Sequence, residues 1–128
     1  MSKISRDEIK KKGIKRTLRT FKYSFEGLKY AYKNEQSMWI HAGASIITIT
    51  VGFILGLTLT EWAIVLISLG VILASELINT AIEAAVDLCT LEVHPLAKIA
   101  KDCGSASTFV LTFCAIIVCL FVFIPYFI

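Results

Sequence analysis

The chain of 128 residues carries a net charge of +3, a mean hydropathy of +0.73 and 56% hydrophobic residues. Soluble domains hold about 45–50% apolar residues; here the excess lies in blocks, which excludes an ordinary soluble domain and indicates one membrane-embedded domain over residues 1–128. The four cysteines, Cys89, Cys103, Cys114 and Cys119, form no CxxC pair and no metal-ligand spacing, which sets aside a disulfide scaffold and a zinc module.

The positive charge is uneven. Of 13 Lys and Arg residues, all but Lys98 and Lys101 fall between Lys3 and Lys33. A basic arm ahead of apolar segments contacts anionic headgroups or sets topology. Nucleic acid is a poorer partner, because the arm runs straight into membrane segments. Residues 1–13 read as a polar tail or short helix. From there Ile14, Leu18, Phe21, Phe25, Leu28 and Tyr32 recur at alternating four- and three-residue steps. Lys15, Arg16, Arg19, Lys22 and Lys29 lie mostly off that stripe. The pattern predicts an amphipathic helix ending near residue 34 and lying in the membrane interface, with packing on another protein surface as the alternative.

Residues 38–60 hold no charge if His41 is neutral, and they are long enough to cross a hydrocarbon core of about 30 Å. Gly52 and Gly56 form a GxxxG pair there, a spacing that permits close helix approach. Thr58 to Glu61 reads as a short turn. A second span is predicted over 62–88, a polar loop over 90–104 and a third span over 105–128. A signal peptide is not expected, since the first long apolar run begins near Met38. The positive-inside rule puts the basic arm and the Lys98/Lys101 loop in the cytoplasm, and the Glu61 turn and C-terminus outside.

The second span ends in ELINTAIEAAVDL, residues 76–88. At about 100° per residue, Glu76, Asn79, Glu83 and Asp87 share one stripe, with Thr80 beside them. Burying one ionised carboxylate in a membrane helix costs about 2.5–3.5 kcal/mol on insertion scales. An ion-paired stripe has no obvious partners, because the spans hold no Lys or Arg, so a metal-bound or water-filled site is favoured. Glu83 and Asp87 fall near the cytoplasmic boundary, and Glu76 lies about 10 Å deeper. Glu35 reaches that boundary from before the first span, and His94, Lys98, Lys101 and Asp102 from the loop. The set suits phosphoryl transfer to a lipid alcohol. Glu35 and Glu83 supply oxygen ligands for Mg2+, and Lys101 neutralises phosphate charge. Glu76 is placed as general base for a lipid hydroxyl below the headgroups, and Asn79 orients it or the phosphate. No Walker A loop or GxGxxG accompanies them.

The run E-L-I-N-T-A-I-E-A-A-V-D followed by H-P-L-A-K-I-A-K-D resembles the small prokaryotic diacylglycerol kinase family, which includes undecaprenol kinases. The resemblance extends from about Arg16 to the end of the third span. It implies an all-α homotrimer of three-span subunits with a surface helix, with ATP and Mg2+ as cosubstrate and cofactor and active sites shared between subunits. By the resemblance Glu76 matches the catalytic base, Glu35 and Glu83 the metal-binding glutamates, and Asn79, Lys101 and Asp102 polar active-site positions. Arg16 and Tyr23 match nucleotide contacts on the surface helix, and Glu92, Val93 and His94 the loop near the nucleotide. Glu76 and Ser105 are assigned to the lipid substrate, and Asp87 is a supporting acid.

Ile40-His41 and His94-Pro95-Leu96-Ala97-Lys98 look like the undecaprenol-kinase branch, whereas Cys103-Gly104-Ser105-Ala106-Ser107 is nearer the diacylglycerol-kinase branch. Undecaprenol is the favoured substrate and diacylglycerol the alternative. A small transporter or a structural membrane protein is the reading from another class; it leaves the Lys101–Asp102 pair and the repeated acids without a role.

Overall fold

The computed structural model describes residues 13–128, and the polar tail expected over 1–12 lies outside them. Among the described residues four α-helices form in chain order: α1 (Ile14–Asn34), α2 (Gln36–Leu55), α3 (Leu59–Cys89) and α4 (Pro95–Phe123), the last running into a 3-10 turn at Ile124–Tyr126. Among the described residues there is no strand. Helices α2, α3 and α4 with its 3-10 turn are each long and apolar enough to cross a membrane.

The break between α1 and α2 falls on Glu35, which leaves helical geometry (φ −110°, ψ 115°) and serves as the last cap of one helix and the first of the next. Side chains clamp this corner. Trp39 Nε1 donates to the Tyr32 carbonyl at 2.7 Å, and the two rings meet edge to face, 5.2 Å between centroids. Ala31 and Met38, one on each side of the break, are fully buried. The corner therefore has a defined angle, and Glu35 sits at its apex.

The hairpin between α2 and α3 is tighter than the sequence reading had it. Gly56 adopts the left-handed conformation (φ 72°, ψ 49°) that glycine takes without strain. Its N–H and that of Leu57 both return to the Gly52 carbonyl, at 3.1 and 3.2 Å. Residues 58–61 are no turn: Thr58 caps α3, and Glu61 completes a capping box with it. The Tyr126 hydroxyl donates to Glu61 Oε2 at 2.6 Å, tying the end of α4 to the start of α3. Nor do Gly52 and Gly56 act as one close-contact motif. Gly56 ends the helix, while Gly52 alone makes room for a neighbour: a Cβ there would stand 2.9 Å from Trp62 Cη2. The Trp62 ring also packs on Phe53, 4.7 Å between centroids. Gly52→Ala is expected to destabilise the fold by about 1–3 kcal/mol, as overpacking against a rigid ring does. Denaturation in detergent micelles measures this; an unchanged midpoint would mean that Trp62 yields freely.

At its other end α3 passes through Thr90–His94 into α4, and here the predicted loop over 90–104 is mostly helix. Pro95 occupies the first turn, where its missing N–H costs nothing. His94 Nδ1 accepts the Leu96 N–H at 3.2 Å as the cap. Helices α3 and α4 form the most extensive contact of the molecule. Leu57, Val65 and Val122 make a small apolar core at the hairpin end, with Leu55, Trp62, Leu69 and Phe123 against it. The polar residues of α3 pack at the opposite end. Large apolar side chains such as Phe53, Ile67, Phe109, Phe113 and Phe121 are exposed along the spans. Water is a poor solvent for such a surface, and lipid or further protein a good one.

Candidate active site

The stripe predicted on α3 forms on an unbroken helix, and its inner part is buried: Glu76 and Asn79 are 5% and 8% exposed. Glu76 has partners. Ser37 Oγ donates to Glu76 Oε2 at 2.8 Å, and His41 Nε2 lies 3.1 Å from Oε1. To the ionised form of Glu76, which only accepts, the His41 nitrogen is the donor. The Thr80 hydroxyl donates to the Glu76 carbonyl at 3.0 Å. This corrects the expectation that the acid stripe lacks obvious partners. Scanning the spans for Lys and Arg misses a histidine and a serine one turn apart on α2. Their i, i+4 spacing in an apolar run was the available signal.

One turn along α3, Asn79 Nδ2 donates to Glu83 Oε1 at 3.0 Å. Asn79 Oδ1 is buried without a hydrogen-bond partner. It faces Gly104 of α4, where a Cβ would come within 2.4 Å of it. The amide is thus held between an acid on its own helix and the bare backbone of the next, and nothing in the sequence marked Gly104 as that neighbour.

A turn further out, Lys101 Nζ donates to Asp87 Oδ1 at 2.6 Å, bridging α4 to α3. Lys98 pairs with Asp102 along α4. Exposed pairs of this kind contribute little stability; their effect is to fix where the charges stand. A hollow of about 290 Å³ opens beside them, lined by Asp87, Glu92, Val93, His94, Lys101 and Asp102 among others. Most of the residues assigned to the nucleotide therefore meet in one place.

Others do not join them within one chain. Arg16 and Tyr23 are exposed on α1, and Arg16 lines a separate hollow built from α1 residues and Gly13. Glu35 makes no side-chain capping bond at its corner. Ser105 is exposed on α4, beside Gly104. Among the described residues, no three His, Cys, Asp or Glu side chains of one chain converge as a ready metal cluster. The donor chemistry nonetheless fits Mg2+, which takes hard oxygens and is commonly held by one or two carboxylates plus substrate phosphates. Glu83, whose Oε1 is fixed by Asn79, is a carboxylate that would suit such an ion.

An apolar groove of about 340 Å³ runs between α2, α3 and α4. His41 lines it, together with Ile40, Ile72, Ala115, Leu120 and Phe123. The histidine that touches Glu76 thus also borders a space suited to hydrocarbon.

The chain is also similar in sequence to known proteins. The profile of the family described as prokaryotic diacylglycerol kinase matches residues 22–123. The chain is 34% identical over 112 residues to an undecaprenol kinase of Bacillus subtilis, covering 88% of this chain and 91% of that protein. It is 40% identical over 98 residues to a diacylglycerol kinase of Pseudomonas aeruginosa, covering 77% and 80%. It is 30% identical over 105 residues to the diacylglycerol kinase of Escherichia coli K12, covering 82% and 86%.

Proposed function

Since this chain belongs to the prokaryotic diacylglycerol kinase family, whose named members move a phosphoryl group onto a lipid alcohol, we propose that it is an ATP- and Mg2+-dependent kinase of undecaprenol. The carrying observation is a stripe of polar residues on one helix, anchored in three hydrogen-bonded groups. It begins at Glu76, buried and held by Ser37 and His41, and passes through Asn79 and Glu83 to the hollow beside Asp87 and Lys101. A lipid hydroxyl enters at the deep end and the nucleotide at the shallow end.

In the proposed reaction Glu76 accepts the hydroxyl proton while the lipid oxygen bonds to the γ-phosphorus. The bond from that phosphorus to the ADP oxygen breaks, and ADP leaves. Glu35 and Glu83 would hold Mg2+, which when bound would supply positive charge against the triphosphate. Asn79 keeps Glu83 in place, and Lys101, steered by Asp87, faces the phosphates with Asp102 nearby. Glu92, Val93 and His94 border the nucleotide, and Ser105 the lipid. Arg16, Tyr23 and Glu35, which do not line the hollow in one chain, complete sites between neighbouring copies in a homotrimer. The exposed apolar flanks of the spans suit that assembly. Helix α1 rests its apolar stripe in the interface of the cell membrane, and the site faces the cytoplasm, where the basic arm and Lys101 are retained.

Undecaprenol is preferred on the character of the groove. Its lining is apolar apart from His41, Thr48 and Thr112, which suits a long hydrocarbon chain. Diacylglycerol is the second reading, favoured by the Cys103-Gly104-Ser105 sequence. Purified protein assayed with ATP, Mg2+ and each lipid side by side should give kcat/KM at least about 10-fold higher for undecaprenol, a ratio within reach of pocket discrimination. Preference for diacylglycerol would select the second reading, and transfer to neither would overturn the kinase assignment.

A further inference from the structure

We propose that His41 is a positioning residue for Glu76, setting the direction from which the carboxylate meets a lipid hydroxyl. The inference rests on the reading of Glu76 as general base and adds to it the device that aims it. A carboxylate on a flexible side chain has about four lone-pair directions, and only one aimed at the substrate is productive. Here both oxygens are engaged from α2, Oε2 by Ser37 Oγ at 2.8 Å and Oε1 by His41 Nε2 at 3.1 Å. Each oxygen keeps a free lone pair. Two donors on adjacent turns of one helix fix the carboxylate plane, and neither can accept a proton from Glu76 while donating to it.

The placement of His41 connects this to the substrate. Its side chain is 16% exposed and that of Glu76 7%, so water competes little for the bond and the donor retains its strength. The ring also lines the apolar groove between α2, α3 and α4. It therefore stands where a hydrocarbon space meets the base. A lipid whose tail occupies the groove brings its hydroxyl past His41 to reach Glu76. The ring excludes water there and leaves the hydroxyl as the available proton donor.

A purely structural role predicts that any well-packed substitute works; a positioning role requires a donor at the Nε2 position. In the full-length protein, with undecaprenol and ATP as substrates, His41→Leu is expected to lower kcat about 10–100-fold with KM for ATP unchanged, the scale of a displaced catalytic group. His41→Gln, whose amide nitrogen reaches the Nε2 position, should recover at least about 10-fold of that loss. If His41→Leu does not fold, Gln and Asn carry the test, because the Asn amide is one methylene short and should stay low. The inference is overturned if kcat of His41→Leu stays within about twofold of wild type, if Gln and Asn are equally active, or if only KM for the lipid rises. Glu76→Gln is measured alongside. An active Glu76→Gln sinks the base itself, whereas an inactive one beside a fully active His41→Leu removes only the role given to His41.

Discussion

Glu76→Gln is expected to reduce kcat for lipid phosphorylation by about 10²–10⁴-fold, the contribution of a positioned general base, and to leave the fold intact. The second half of that expectation comes from the geometry. A glutamine keeps the shape of Glu76 and can satisfy both neighbours. Its carbonyl oxygen accepts from His41 Nε2, its amide faces Ser37 Oγ, and the serine hydroxyl rotates to accept. No buried polar atom is left without a partner, so the usual penalty for a mutated buried carboxylate does not arise. What is lost is the ability to take a proton. Thermal stability in detergent and Mg2+-ATP binding should therefore match wild type while turnover disappears. Turnover within tenfold of wild type, on the same scale, would show that another group removes the proton.

That prediction rests on a residue singled out from the sequence and on neighbours that were not. Three carboxylates and an asparagine at helical spacing inside an apolar run are costly, and cost without compensation is a signal readable from one segment alone. For the same reason the three spans were legible, as long apolar runs. Their limits were read less well. The helix of the first span, read over 38–60, runs 36–55, because Gly56 turns left-handed and Thr58 already caps α3; that of the second, read over 62–88, runs 59–89. The third begins at Pro95, not Ser105, because an amphiphilic first turn with Pro at its start looks polar by composition yet is a sound helix opening. Whatever depends on which helices touch stayed hidden. Ser37 and His41 are separated from Glu76 by 39 and 35 residues, Lys101 from Asp87 by 14, and Gly104 from Asn79 by a full helix end and connection. Local periodicity carries no information about such pairs.

The last of them yields the second large effect. Gly104→Ala is expected to lower kcat about 100-fold while costing little stability. The new methyl would stand 2.4 Å from Asn79 Oδ1 and 3.5 Å from its Cγ, but 3.6 Å from Ile82 Cδ1, an ordinary contact. The conflict is thus almost wholly with one side-chain end, which can turn aside. Turning breaks the 3.0 Å bond from Asn79 Nδ2 to Glu83 Oε1 and releases the carboxylate assigned to Mg2+, and misplacement of about 1 Å at such a group costs about 10²-fold in rate. Meanwhile alanine in a helix interior gains about 0.5–1 kcal/mol over glycine, which offsets the strain of rearrangement. Activity and stability should therefore separate. A mutant cycle identifies the route. In an Asn79→Ala background nothing remains for the methyl to strike, so adding Gly104→Ala should change the residual kcat by no more than about twofold, a strong departure from additivity. If the two losses multiply, or if Gly104→Ala alone keeps wild-type turnover, then the bare backbone at Gly104 serves helix packing only and the position of Asn79 does not depend on it.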